Sequence, residues 1–227
     1  MQLQSKYNLE VIGMNKERLI KVTEAGLAAI LVSQVVSLAS ALTPARTVAA
    51  SVDQPRILLD LAHRDTENDC GAVYQIWNER DIVNPITDKV ANILVNKGFS
   101  VTLTRSYDSP ISINDRVALA NRTDFDYYVS IHANSCANPN TGTGIEAYYN
   151  GNAAKMMADH MLQALSQEFN MVNRGNYETK YYTSYIHDSV LFEVGFVNHD
   201  RDRQIMLENQ DRIAELIAES IVSQFSM

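Results

Sequence analysis

At 227 residues the chain has room for one domain and a short extension. Its content of 46% hydrophobic and 20% charged residues suits a globular protein with a core of ordinary size. A net charge of -8, with no stripe of Lys and Arg, argues against nucleic acid as a partner and leaves contact with any anionic polymer to specific groups rather than bulk attraction.

Near the start, Lys16, Glu17, Arg18 and Lys21 precede a charge-free run over residues 25–42. A basic beginning, an apolar middle and small residues at Ala39-Ser40-Ala41 or Val48-Ala49-Ala50 describe an export signal, with Met14 as an alternative start. Residues 1–50 are therefore expected to be signal peptide and linker, and the globular domain to occupy residues 54–227. A retained membrane anchor is the alternative, since about 18 residues is the lower edge for crossing a bilayer. Ser33, Gln34, Ser37 and Ser40 weaken that option.

Beyond Pro55, strands and helices alternate. Residues 56–61 form a short apolar run typical of a buried strand. The spacing of Ile82, Val83, Ile86, Val90, Ile93 and Leu94 predicts a helix over 79–97, stopped by Gly98. Pro85 conflicts with that helix unless it lies near the true N-terminus or marks a kink. Val101 and Leu103 alternate in a strand over 100–104. Ser112, with Asp115 three residues on, reads as a helix start. A β-rich strand over 127–131 ends at His132, and a further strand covers 144–149. A helix over 153–169 places Met157, Met161 and Leu165 on one face. The strand over 190–194 carries Glu193, and an amphipathic helix over 203–225 closes the chain. This order predicts an α/β fold: a single domain with a mostly parallel twisted sheet flanked by helices.

Open α/β sheets place their sites outside the carboxyl ends of strands. His63 follows the first strand, His132 ends another, Glu193 lies in Leu191-Phe192-Glu193-Val194, and Glu79 opens a helix. Two imidazoles and one carboxylate make a catalytic zinc shell with a position left for water, and a further carboxylate can serve as base. Plainer readings exist: His132 as a buried histidine with a satisfied ring, Glu79 as a helix-start acid favoured by the dipole. Glu193 is harder to dismiss, because an acid among apolar neighbours is costly to bury unless paired, protonated or bound to metal. His160, His187 and His199 lack such settings and read as surface or supporting residues. Cys70 and Cys136 lack zinc-finger spacing and are either unrelated thiols or one disulfide.

Ser130-Ile131-His132-Ala133-Asn134-Ser135 resembles the Ser-Ile-His-Ala-Asn segment of the zinc-dependent N-acetylmuramoyl-L-alanine amidases of the type-3 family. Phe192-Glu193-Val194-Gly195-Phe196-Val197-Asn198 resembles that family's Glu-x-Gly-Phe segment. Thr104-Arg105, Arg116 with Ala120-Asn121, and Asn173-Arg174-Gly175 fit further marks in order, so the resemblance runs over residues 56–225. It implies a peptidoglycan substrate and hydrolysis of the amide between N-acetylmuramic acid and L-alanine. It also implies one zinc ion per domain on His63, Glu79 and His132, with Glu193 as catalytic base. The place it implies is secreted or wall-associated, with membrane contact only through the signal segment. Asn134, two residues after a ligand, is either a substrate contact or a turn-capping amide. A zinc exopeptidase acting on wall stem peptides and a non-catalytic wall-binding homologue are the competing readings.

One departure is plain. The family's Asp-Pro-Gly-His-Gly-Gly reads here as Asp60-Leu61-Ala62-His63-Arg64-Asp65. Leu, Ala and Arg resist backbone angles that glycine permits, so the turn is expected to take another shape. Convergence of His63 and His132 on one ion would also bring the loops bearing Cys70 and Cys136 to one sheet edge. There, after export, a disulfide could persist.

Overall fold

The computed structural model describes residues 54–122 and 124–225, so the expected export segment lies outside the described residues. Four strands run parallel: β1 (Arg56–Asp60), β4 (Ser100–Leu103), β5 (Tyr127–Asn134) and β8 (Ser189–Phe196). β6 (Ile145–Asn150) is antiparallel to β8 and parallel to β7 (Asn173–Glu178), giving the order β4-β1-β5-β8-β6-β7. A separate ribbon of β2 (Val73–Tyr74) and β3 (Trp77–Asn78) leads into helix α1 (Glu79–Asn96). The expected single α/β domain with a mostly parallel sheet is what forms. Among the described residues no helix is long and apolar enough to cross a membrane.

The two faces of the sheet are covered unequally. On one, Ile57, Leu59, Val129, Ile131, Val190 and Phe192 meet α1, α3 (Asn152–Phe169) and α5 (Gln210–Val222) in the main core. The other face carries a small cluster, Leu58, Tyr128 and Ile186, under α2 (Ile113–Arg122) and a short turn at Tyr182–Tyr185. Side chains alternate between faces along a strand. The residues between the main-core positions, Asp60, Ser130, His132, Glu193 and Glu146, therefore all belong to the thinly covered face.

Local chemistry explains the element ends. Asn78 caps α1 by accepting the Asp81 N–H at 2.9 Å, and the N–H groups of Glu79 and Arg80 donate to the carbonyls of Ala72 and Cys70 at 2.8 and 3.1 Å. These bonds tie the loop before the helix to its first turn. Pro85 neither starts the helix nor breaks it, for α1 runs on unbroken past it. Gly98 ends it with φ 88, the left-handed angle glycine tolerates. Ser112 opens α2 as expected, its Oγ accepting the Asp115 N–H at 3.1 Å.

Two elements differ from expectation. The closing helix is two, α4 (Asp200–Glu208) and α5, divided at Asn209, whose side-chain amide donates to the Ile205 carbonyl at 3.1 Å. β7 was not foreseen because Asn173-Arg174-Gly175-Asn176-Tyr177-Glu178 has no apolar alternation; as an edge strand it is paired on one side only.

At the carboxyl end of β1, Asp60 (1% exposed) pairs with Arg116 (2%) of α2. Asp60 also accepts from Thr104 Oγ1 at 2.6 Å, Ser130 Oγ at 2.9 Å and Tyr182 Oη at 3.0 Å. Arg116 further donates to the Leu61 carbonyl at 2.8 Å and to that of His63. Burial pushes the Asp60 carboxyl up, but Arg116 and the hydroxyl donors outweigh it and leave the group below the usual carboxylate range. Breaking a buried pair strands a charge, so Arg116→Met should lose about 3–5 kcal/mol in urea unfolding. Because the folded value lies below the unfolded value of about 3.9, the contribution is complete above that pH and lost as pH falls beneath it. Urea titrations from roughly pH 5 to pH 3 should fall more steeply for the wild type than for Arg116→Met; equal slopes would remove Asp60 from the acid response.

Candidate metal centre

His63 lies in the loop after β1, whose first residues, Leu61 and Ala62, are fully buried. His63 and Arg64 take φ 60 and 68, both left-handed. Arg64 thus adopts an angle it was expected to resist, whereas Leu61 and Ala62 do not. A left-handed L-residue costs roughly 1–2 kcal/mol, and the loop supplies compensating bonds. Arg116 holds the His63 carbonyl, the Arg64 carbonyl accepts the Ile111 N–H at 3.0 Å, and the Arg64 guanidinium pairs with Glu67 at 3.0 Å.

Glu79, the first residue of α1, is 5% exposed. Its Oε1 lies 2.8 Å from His132 Nδ1 and 2.9 Å from His63 Nε2, and accepts the Ala133 N–H at 3.0 Å. Oε2 accepts the Ala72 N–H at 3.0 Å. The two imidazoles stand nearly edge to face, with centroids 4.9 Å apart. Burial pushes the Glu79 carboxyl up, but bonds to and charge on His132 and His63 hold it well below the usual range. For His63, burial works downward, while Glu79 and Asp69 outweigh it and raise its value.

The sequence-predicted ligands thus meet: one donor atom from each of His63, Glu79 and His132 falls within 4.8 Å of the others. Nε2 of His132 is buried without a hydrogen-bond partner, which is costly unless another group satisfies it, and that of His63 faces only the Glu79 carboxylate. A set of two imidazoles and one carboxylate, with nitrogen lone pairs unspent, fits zinc. The space is also reserved by Gly71. At φ 71, a Cβ there would lie 2.5 Å from His63 Nε2 and 2.6 Å from Glu79 Oε2.

Glu193 and His132 are register partners across β5 and β8, and Glu193 and Glu146 across β8 and β6. Both His132 and Glu193 lie inside longer strands than expected, on the sheet face rather than beyond its edge. Glu193 Oε2 is buried and unpartnered. Burial first, then the charges of Glu79 and Glu146, push the Glu193 carboxyl well above the usual range. Glu146 itself is paired, accepting from Arg174 Nε at 2.7 Å, Asn134 Nδ2 at 2.6 Å and Tyr148 Oη at 2.9 Å. A cleft of about 330 Å³ joins His63, Glu79, His132, Asn134, Tyr181 and Glu193.

Asn134 stands on the cleft wall with Oδ1 accepting the Ser135 N–H at 2.7 Å. Both thiols are free. Cys136 turns into its own loop, with Sγ donating to the Asn138 carbonyl at 3.0 Å and accepting the Gly142 N–H at 3.2 Å. Convergence of the ligands does not carry over to the cysteines. His160 and His187 are exposed, while His199 caps α4 by accepting the Asp202 N–H at 3.3 Å. Two functional-site residues escaped the sequence reading. Glu146, within Ile145-Glu146-Ala147, carries the buried-acid signal that singled out Glu193. Asp69, which contacts His63 Nδ1 at 3.2 Å, lies in a loop with no period to reveal it.

A model of the family described as N-acetylmuramoyl-L-alanine amidase (Amidase_3) matches residues 57–223. Bacillus subtilis (strain 168) YqiI, described as an uncharacterized protein, is 29% identical over 194 residues, 83% of this chain and 93% of that one. N-acetylmuramoyl-L-alanine amidase AmiA of Escherichia coli (strain K12) is 35% identical over 107 residues, 46% of this chain but only 36% of that protein. Among solved structures, N-acetylmuramoyl-L-alanine amidase AmiC2 of Nostoc punctiforme superposes with a TM-score of 0.69 at 29% identity, over 76% of this chain and 98% of that one.

The crowding at Gly71 generates a test. Gly71→Ala should lower metal affinity by roughly 10–100-fold in chelator competition, the scale seen when ligand surroundings are disturbed. Gly98→Ala is the control, since Gly98 has φ 88 but nothing within 4 Å of the added Cβ. It should bind metal like the wild type, and equal losses in both variants would reduce the effect to backbone strain.

Proposed function

The chain belongs to the N-acetylmuramoyl-L-alanine amidase family, and on that premise we propose that it cuts the amide between N-acetylmuramic acid and L-alanine in peptidoglycan with one zinc ion held by His63, Glu79 and His132. The observation that carries the reading is the placement of Glu193. A buried carboxylate oxygen without a partner shares a cleft with two buried imidazole nitrogens, one without a partner and one facing only the Glu79 carboxylate. Bound there, zinc supplies Lewis-acid polarisation of the amide carbonyl and lowers the pKa of an attacking water toward about 7.

The chain's own residues do the rest. Glu193 takes the proton of the attacking water at its carboxylate and returns it to the departing alanine amine. Its burial beside Glu79 and Glu146 makes the ionised carboxylate a stronger base than an exposed glutamate. The bonds of Glu79 to the Ala72 and Ala133 N–H groups hold it in place for coordination. Asn134 has one amide N–H beyond that given to Glu146, and we assign it to a substrate carbonyl.

Purified sacculi treated with the protein should yield new N-terminal alanine and free stem peptides. Chelation should abolish this and zinc restore it. His63→Ala and His132→Ala should lose metal, whereas Glu193→Ala should keep metal and lose roughly 10²–10⁴-fold in rate. Full activity of Glu193→Ala would remove it from the mechanism. Products trimmed within the stem, with the muramyl amide intact, would support an exopeptidase instead. We further propose that the charge-free segment over residues 25–42 directs export and that the mature chain begins after Ala41 or Ala50. N-terminal sequencing of secreted protein checks this, and an intact start in the membrane fraction would establish an anchor.

A further inference from the structure

We propose that Arg174 is a specificity-determining residue: it receives the free carboxylate of the acidic stem residue that follows alanine while the muramyl amide lies at the metal centre. The proposal rests on the amidase reading above and deepens it, by assigning the anionic part of the substrate to a side chain of β7.

One extra residue interrupts the pairing of β7 with β6. Ile145 and Ala147 pair with Asn173 and Asn176, so Glu146 alone stands opposite both Arg174 and Gly175. Such a bulge re-aims the side chain it carries, and Gly175 takes φ 112, an angle that glycine tolerates. Arg174 Nε donates to Glu146 Oε2 at 2.7 Å, beside the strand that carries Glu193. The guanidinium also lies over the Phe196 ring, 5.1 Å from its centre, and Tyr177 Oη donates to the Arg174 carbonyl at 2.6 Å. A buried carboxylate and an aromatic face thus fix the plane of the group.

Only the Nε donor is spent. Nη1 and Nη2 have no hydrogen bond to the described residues, and the side chain is 39% exposed. The other Glu146 oxygen accepts from Asn134, which lines the cleft, so Arg174 stands one carboxylate away from the cleft wall. That lining holds five acids and one arginine, Arg116, whose guanidinium is committed to Asp60. An anionic stem is repelled along such a wall and needs a fixed cation at its end. Two extended residues span roughly 7 Å, and β6 lies two strand spacings, about 10 Å, from the strand of His132. A carboxylate branching from the residue after alanine covers the difference. A planar fork takes it through two parallel bonds, which an ammonium cannot offer.

The test uses the full chain and compares wild type, Arg174→Gln and Arg174→Lys on two defined disaccharide peptides. These differ only in a free carboxylate or a carboxamide on the residue after alanine. The wild type should favour the acid by roughly 10–100-fold in kcat/KM, chiefly through KM, the scale of a hydrogen bond between charged groups. Arg174→Gln should bring the ratio near one, and Arg174→Lys should leave it in between. A purely structural role, exerted through Glu146, would slow both substrates alike and keep the ratio. That outcome, or a wild-type ratio of one, overturns the proposal. Should Arg174→Gln fail to fold, Arg174→Lys decides it, since an unchanged ratio there is equally fatal. Calorimetry with the two free stem peptides, acid and amide, separates this proposal from the amidase reading. A chain that cuts neither substrate but binds the acid through Arg174 would overturn the amidase reading alone. One that neither cuts nor binds would overturn both.

Discussion

The Asp60 carboxylate and the Arg116 guanidinium are both withdrawn from water where β1 ends and the loop bearing His63 begins. Neither charge is tolerable there alone, and their attraction offsets desolvation only if the remaining donors and acceptors are also spent. Thr104, Ser130 and Tyr182 complete the carboxylate, and the carbonyls of Leu61 and His63 complete the guanidinium. The pair therefore does more than join α2 to the sheet. It grips the backbone of His63 itself and supports the left-handed turn that aims the ring. Whatever loosens Arg116 loosens the loop that carries His63.

A second constraint is the uneven cover of the sheet. Three helices fill one face, and alternation along the strands sends the polar residues to the other. Strand register then sets His132, Glu193 and Glu146 side by side on neighbouring strands. Several acids share this small region, and most have a cationic or histidine partner. Asp60 has Arg116, Glu146 has Arg174, and Glu79 has two imidazoles. Glu193 has none among the described residues, and its Oε2 lacks even a hydrogen bond. The carboxylate left uncompensated by the fold is the one proposed to move the proton.

Much of this was legible in the residue order. Apolar runs and helical spacing mark the strands and helices of the main core, and the cap at Ser112 and the stop at Gly98 fall as their chemistry requires. The four residues proposed for the centre stand out through strand-end context, the awkward burial of Glu193 and the family segments around His132 and Glu193. Other features were not legible, each for a physical reason. β7 has no alternation because none of its residues is buried. The break at Asn209 depends on a side-chain bond, not on a helix breaker. Pro85 is carried within α1, although its ring argues against a helix interior.

The sequence by itself determined most of the elements, their α/β order and, through the family segments, which side chains to propose as metal ligands, because periodicity and motif are properties of residue order. Only the tertiary structure decided how those side chains are held. The left-handed angles at His63 and Arg64 run against residue preference and persist because Arg116 and Ile111 reach them from elsewhere in the chain. Asp69 meets His63 through a loop of no regular period, and the Cys136 thiol is taken up in bonds within its own loop. Such contacts depend on where loops close in space, and local propensity carries no record of that.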